Sequence, residues 1–203
     1  MSAKPDPSDN ELLQSMMAGD EAALAALYQR RARDIFRFAL QMCGSQALAD
    51  DVTQEVFMVL IREGHAFDAA RGSVSAFLMG VARNLVLRRL RRERFYVSFE
   101  EDSQADTAQN ISQTTQTPLD DLSRTETIES VRKAVLALPE RYREVVVLCD
   151  LQEMSYLEAA EILGCAVGTV RSRLHRARAL LIEKMRPAEE EEAVDVKSAR
   201  CFA

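Results

Sequence analysis

The sequence is poor in everything that makes strands, tight turns and metal sites. Of 203 residues, 7 are glycine and 5 proline, and tryptophan is absent. So few turn formers in a chain rich in Ala, Leu and Arg argue against many short strands and for an all-α fold. The four cysteines, Cys43, Cys149, Cys165 and Cys201, lie far apart and form no C-x-x-C pair. That excludes a disulfide framework and a zinc ribbon, and suits isolated thiols in a reducing compartment. His65 and His175 are the 2 histidines, so neither metal nor cofactor is expected. There is no Gly-rich phosphate loop and no converging set of acid, base and nucleophile, so no enzyme is expected either. No apolar run approaches the roughly 20 residues that span a bilayer, and the start, MSAKPDPSDN, lacks the apolar core of a secretory signal. A cytoplasmic protein without membrane insertion is the expectation.

What is present is helical periodicity. Ser8 and Glu11 fit a capping box ahead of an apolar face of Leu12, Leu13, Met16 and Met17. Asp20 can cap a longer helix with Leu24, Leu27, Tyr28, Ile35, Phe38 and Met42, which Gly44 ends. Ser45 opens a third, with Leu48, Val52, Val56 and Val59 on one side and Gly64 as its stop. Ser73 opens a fourth, with Val74, Phe77, Leu78, Val81 and Leu85 inward. Four periodic helices with short connections make one bundle, residues 1–96, ending near Phe95.

Composition then shifts to Gln, Thr, Ser and Asp. Residues 97–117 bury too little to offset ordering entropy and read as a flexible acidic linker. Periodicity returns over 118–187. One helix carries Leu122, Ile128, Val131, Val135 and Leu138 up to Pro139, and another carries Tyr142, Val145, Val146 and Cys149. A second capping box, Ser155 with Glu158, opens a short helix that Gly164 breaks. A long helix then runs from about Val167 to Met185. Residues 188–203 read as a disordered acidic tail. The net charge of -6 therefore sits largely in linker and tail.

The last helix concentrates arginine. At about 100° per residue, Val170, Leu174, Ala177 and Leu181 share one arc and must pack inward. Gly168, Ser172, His175 and Arg176 fall opposite, Arg171 lies at the edge of that group, and Arg173 and Arg178 project to the flanks. A solvated basic face is the plain reading of one such helix. Here a capped short helix, a glycine break and a second helix with outward Arg and Ser follow in order, as in a helix-turn-helix. Polar groups and arginines facing base edges, flanked by cations for phosphates, suit the major groove. Ala166 stands where Ser or Asn would cap that helix, at a cost of about 1 kcal/mol.

The first bundle adds two surfaces. In ALADDVTQEVFMVL, Asp51, Gln54, Glu55 and Met58 share one outward face with Asp50 beside them, an acidic patch suited to a basic protein. A loop with Phe67, Asp68 and Arg71 then leads to a helix whose Arg83, Asn84, Arg88 and Arg91 form a cationic track, a surface able to hold a backbone and receive unstacked bases.

Taken together, ADDVTQEVF, FDAARGSVSAFLMGVARN, LPERYREVVVL and YLEAAEILGCAVGTVRSRLHRAR resemble the bacterial sigma factors of the extracytoplasmic-function group. The resemblance covers both bundles. It implies a region 2 domain at 1–96 and a region 4 domain at 118–187. Asp50, Asp51, Gln54, Glu55 and Phe57, with Met58 beside them, would engage the clamp helices of core RNA polymerase, unless Phe57 belongs to the core. Phe67, Asp68, Arg71, Arg83, Asn84, Arg88 and Arg91 would handle the −10 element and the melted non-template strand. Gly168, Thr169, Arg171, Ser172, Arg173, His175, Arg176 and Arg178 would read the double-stranded −35 element. An anti-sigma factor is a further partner the family implies. Two other readings stay open: a sigma-like decoy that titrates an anti-sigma factor, and an ordinary dimeric helix-turn-helix regulator.

Overall fold

The computed structural model describes residues 6–70, 72–100 and 119–186. The linker between residues 101 and 118, Arg71 and the acidic tail lie outside the described residues. Eight α-helices and no strands occur among those described.

Helix α1 (Asp9–Met17) starts at the expected capping box, where Ser8 Oγ accepts from the Glu11 amide and Glu11 Oε2 accepts from the Ser8 amide. It buries Leu12 and Leu13. Asp20 caps α2 (Glu21–Cys43) by accepting from the amides of Ala22 and Ala23. Leu27, Ile35, Phe38 and Met42 of α2 are fully enclosed. Gly44 ends the helix at φ 74, a left-handed position that suits glycine. Ser45 caps α3 (Gln46–Glu63), which buries Val52, Val56, Phe57 and Leu60. A single 3-10 turn (Gly64–Ala66) follows, and then α4 (Val74–Glu100). The last helix of the first bundle thus runs past Phe95, and its final turn enters the segment read as linker.

In the second bundle α5 (Leu119–Leu136) leads to Pro139 and α6 (Glu140–Val146). A π turn (Val147–Leu151) widens the end of α6. Ser155 and Glu158 form the second capping box, at the start of α7 (Tyr156–Leu163). Gly164 at φ 62 makes the turn into α8 (Val167–Met185), which begins and ends where the sequence put it. Ile128, expected inward, is 53% exposed. Helix α5 docks through its C-terminal half instead, where Ala134 and Val135 are buried, and Leu138 just beyond its end is buried with them.

The two bundles do not stand apart. Their apolar interiors merge into one cluster reaching from Leu12 to Ala177. Arg143 of α6 is buried at the junction, where Nη1 donates to the Met42 carbonyl of α2 at 2.6 Å. Its Nη2 donates to Leu138 O at 3.1 Å and also to Leu136 O. One guanidinium therefore serves the acceptor-rich C-terminal ends of α2 and α5 together, where a cation is favoured.

Candidate nucleic-acid interface

Helix α8 presents the division of faces its sequence implied. Val170, Leu174 and Ala177 are buried, while Gly168, Arg171, Ser172, His175 and Arg176 are exposed. Thr169 is half-buried, and its carbonyl accepts from Ser172 Oγ at 3.0 Å. A Cβ built on Gly168 would meet nothing within 4 Å. Glycine inside a helix costs about 0.5–1 kcal/mol relative to alanine, and no packing within the chain requires it here. Ala166 makes no side-chain cap, so the amides of Val167 and Gly168 begin α8 without one.

The arginines of α8 differ in what they touch. Arg171 lies over the Tyr156 ring, 5.9 Å from its centroid. Hydrogen bonding to Arg176 holds the Tyr142 hydroxyl below its usual pKa. Arg178 grips Asp150 with two bonds, Nη2 at 2.6 Å and Nε at 3.1 Å. It thus fastens α8 to the π turn rather than projecting freely. Arg173 is half-buried and acts on the carboxylate of Glu144 in α6. Nearby Cys149 is chemically quiet, because burial, reinforced by the Asp150 charge, pushes its thiol up to about 11.

On α4, Asn84, Arg88 and Arg91 are exposed as expected, and Arg83 is not. Its Nε stands 2.7 Å from Oε1 of Glu144, an ion contact without the alignment of a hydrogen bond. Glu144 is 3% exposed. Burial raises its pKa despite the opposing guanidinium of Arg83. The helical wheel could not show this, because the partner arrives from the other bundle. In the preceding loop, Phe67 is half-buried edge-on to Phe77, with ring centroids 5.6 Å apart, and so belongs partly to the core. Asp68 is exposed, and its carboxylate accepts from the Ala70 amide at 2.9 Å. Arg71 lies outside the described residues.

On α3, Asp50, Asp51, Gln54 and Met58 face outward, with Met58 52% exposed. Phe57 is 5% exposed and packs at a 51° tilt against Tyr28, centroids 4.7 Å apart, which places it in the core, while Tyr28 itself, grouped with the apolar residues of α2 in the sequence, is 45% exposed. Glu55 is half-buried because Arg89 of α4 reaches it at 2.9 Å and Asp51 at 3.5 Å. Arg89 was missed in the sequence; a cation 34 positions from Glu55 gives no local signal for pairing with α3. Exposed Ile61 extends the face beyond Met58.

Residues 27–96 match the family Sigma-70 region 2, and residues 128–181 match Sigma-70, region 4. ECF RNA polymerase sigma factor SigM of Mycobacterium tuberculosis is 34% identical over 176 residues, covering 86% of this chain and 83% of that protein. The chain belongs to the ECF sigma factors. ECF RNA polymerase sigma factor SigW of Bacillus subtilis is 29% identical over 182 residues, covering 86% of this sigma factor and 95% of the relative. Among solved structures, the sigma factor RpoE in complex with the anti-sigma factor NepR from Bartonella quintana is 25% identical with a TM-score of 0.63, covering 78% of this chain and 93% of that one. CnrH in complex with the cytosolic domain of CnrY shares the fold at 24% identity and the same TM-score, 0.63, covering 87% and 96%. The two matched regions are the two bundles, and α8 ends the second match within its helix-turn-helix. No helix of the described residues is long and apolar enough to cross a membrane.

Proposed function

We propose that this sigma factor directs promoter-specific initiation with three surfaces of its own. The Asp50, Asp51, Gln54, Glu55 and Met58 face of α3 binds core RNA polymerase. Helix α8 enters the major groove of the −35 element and reads it with Arg171, Ser172, His175 and Arg176. The loop with Phe67, Asp68 and Arg71, and the exposed Asn84, Arg88 and Arg91 of α4, hold the melted non-template strand of the −10 element. No covalent step is assigned to the chain; binding energy held by unstacked bases suffices, and the work is done in the cytoplasm. An anti-sigma factor is the proposed regulator, since the solved relative RpoE is bound to one.

The observation that carries this reading is the outward stripe of α8. Short and cationic side chains stand over a buried apolar seam, with an uncushioned glycine and uncapped amides at the leading end. A groove-reading helix needs close backbone approach and base-edge donors together. An ordinary surface helix needs neither.

Run-off transcription with core polymerase and a pool of genomic promoters tests it. Discrete transcripts that depend on the protein are the expected result, and binding to core without transcripts would indicate a decoy. Asp51→Lys with Glu55→Lys should weaken core binding about tenfold or more, through like-charge contact with a basic partner. Unchanged core affinity in that variant would remove α3 from the polymerase interface.

A further inference from the structure

Arg141, in the first turn of α6, is an exposed cation that belongs to none of the three surfaces above. Its guanidinium lies over the ring of Tyr142, 4.7 Å from the centroid. Tyr142 itself is 9% exposed and belongs to the core cluster with Val145 of α6 and Val170 and Leu174 of α8. Its hydroxyl is engaged by Arg176 of α8, and Arg141 acts on the same oxygen in the same sense. One buried phenol thus brings an arginine from outside the helix-turn-helix up to the outward face of α8.

Most other arginines around that face are engaged within the fold. Arg143 is buried on carbonyls, Arg173 acts on Glu144, and Arg178 is clasped by Asp150. Among the described residues Arg141 and Arg176 form no ion pair, and Glu140 beside Arg141 reaches Arg91 of α4 instead. Two like charges therefore share one neutral side chain. The first turn of a helix is also where the dipole opposes a cation. In the free protein this is a poor place for Arg141; an anion would make it a good one.

From this juxtaposition we propose that Arg141 is a further DNA-contacting residue, whose guanidinium takes a backbone phosphate of the duplex at the flank of the groove that α8 enters. The inference rests on the reading of α8 as the groove-entering helix. A carboxylate partner would hold Arg141 in place but cancel its charge. An aromatic ring restrains the guanidinium and leaves its charge and its fork of donors for the phosphate. Less side-chain freedom is then lost when the anion arrives. The work divides accordingly. Arg176 meets base edges and carries sequence information, while Arg141 carries none and fixes affinity and register. Tyr142 couples the two, so the base reader and the phosphate anchor keep one spacing.

The test uses the full-length chain and two probes: a fluorescent mixed-sequence duplex titrated at a series of salt concentrations, and a random-sequence duplex pool enriched on the protein. Arg141→Ala should make the fall of log affinity with log salt shallower by about 0.9, the counterions released at one phosphate. Over roughly a fourfold rise in salt its deficit against wild type should therefore shrink about three- to fourfold. The sequences it enriches should match those of the wild type, because a phosphate contact carries no base information. Arg141→Lys keeps the charge and should keep the slope. Arg33→Ala, at an exposed site of α2 in the first bundle, carries the same change in net charge as Arg141→Ala and should leave the slope unchanged. An unchanged slope in Arg141→Ala would overturn the assignment. So would an equal drop in Arg33→Ala, which marks a general charge effect, or in Arg141→Lys, which marks lost structure rather than a lost contact. Failure of the underlying reading looks different: Arg176→Ala would then enrich the same sequences as the wild type, whatever Arg141 does to the slope.

Discussion

Helix α4 carries Arg83, Arg88, Arg89, Arg91 and Arg92, and α8 carries Arg171, Arg173, Arg176 and Arg178. In sequence the two stretches look alike. In the fold, Arg83, Arg89 and Arg91 of α4 each meet a carboxylate of the same chain. On α8 the close carboxylate belongs to Arg178, while Arg171 and Arg176 rest against tyrosines and keep their charge turned outward. Arginine density marks where a polyanion can bind, and tertiary partners decide whether it can bind now. Helix α8 keeps Arg171 and Arg176 at the surface, whereas α4 leaves Arg88 and Arg92 exposed and sets Arg83 and Arg89 against carboxylates.

The largest effect that would break this contrast is expected from Arg143→Ala. It removes the bonds that tie α2 to α5 and leaves three carbonyls at the junction without their donor. Bonds to a charged group contribute about 1.5–3 kcal/mol each, less than additively, so a loss of about 3 kcal/mol or more is expected. Chemical denaturation should also split into two transitions as the bundles uncouple. A single transition at unchanged midpoint would mean that the junction does not depend on Arg143.

Arg176→Ala sharpens the contrast from the other side. It should weaken duplex promoter binding by about 1–3 kcal/mol and relax the base preference at one position. Single-strand binding by α4 should be unaffected, which titration of both probes would show. Equal loss on both probes would mean that the helices do not divide the work.

The smallest expected effect is a pH dependence. The folded pKa of Glu144 is raised above the ordinary carboxylate value because burial outweighs Arg83. The folded form therefore binds this proton more tightly than the unfolded chain does. Its contribution is fully present below the ordinary carboxylate value and is lost as pH rises through the raised one. The capping carboxylates Glu11 and Glu158 have lowered values and act in the opposite sense, losing stability as pH falls. Glu144→Gln should remove its part of the slope across that window, measured by denaturation at a series of pH values. An unaltered slope would place the raised proton affinity elsewhere.

Local signals were legible in the sequence. Ser8 with Glu11, Asp20, Ser45 and Ser155 with Glu158 each mark a helix start by a side chain that must accept an amide within three residues. The bounds and buried arc of α8 were legible for the same reason, since one apolar stripe and a glycine turn define them. What escaped was decided over long distance. Arg83 was placed outward because its partner lies 61 positions away in the other bundle. Phe57, open between core and contact in the sequence, is core because Tyr28 packs against it at a tilt. One clue was available for the junction. Tyr142 to Leu148 is a run buried throughout, with Arg143 and Glu144 inside it. A helix enclosed on all sides has no solvent to offer its charges, so both needed internal partners.

The clasp between Arg178 and Asp150 bears on how this protein responds to ionic strength. Affinity for duplex DNA falls with added salt in proportion to the phosphates neutralised, because each contact releases condensed counterions. An arginine held by two bonds to an aspartate on its own fold must give up that partner before it meets a phosphate. On the proposed reading of α8, the slope for the second bundle should count Arg171 and Arg176 ahead of Arg178, making duplex binding less sensitive to added salt than the arginine count of α8 suggests.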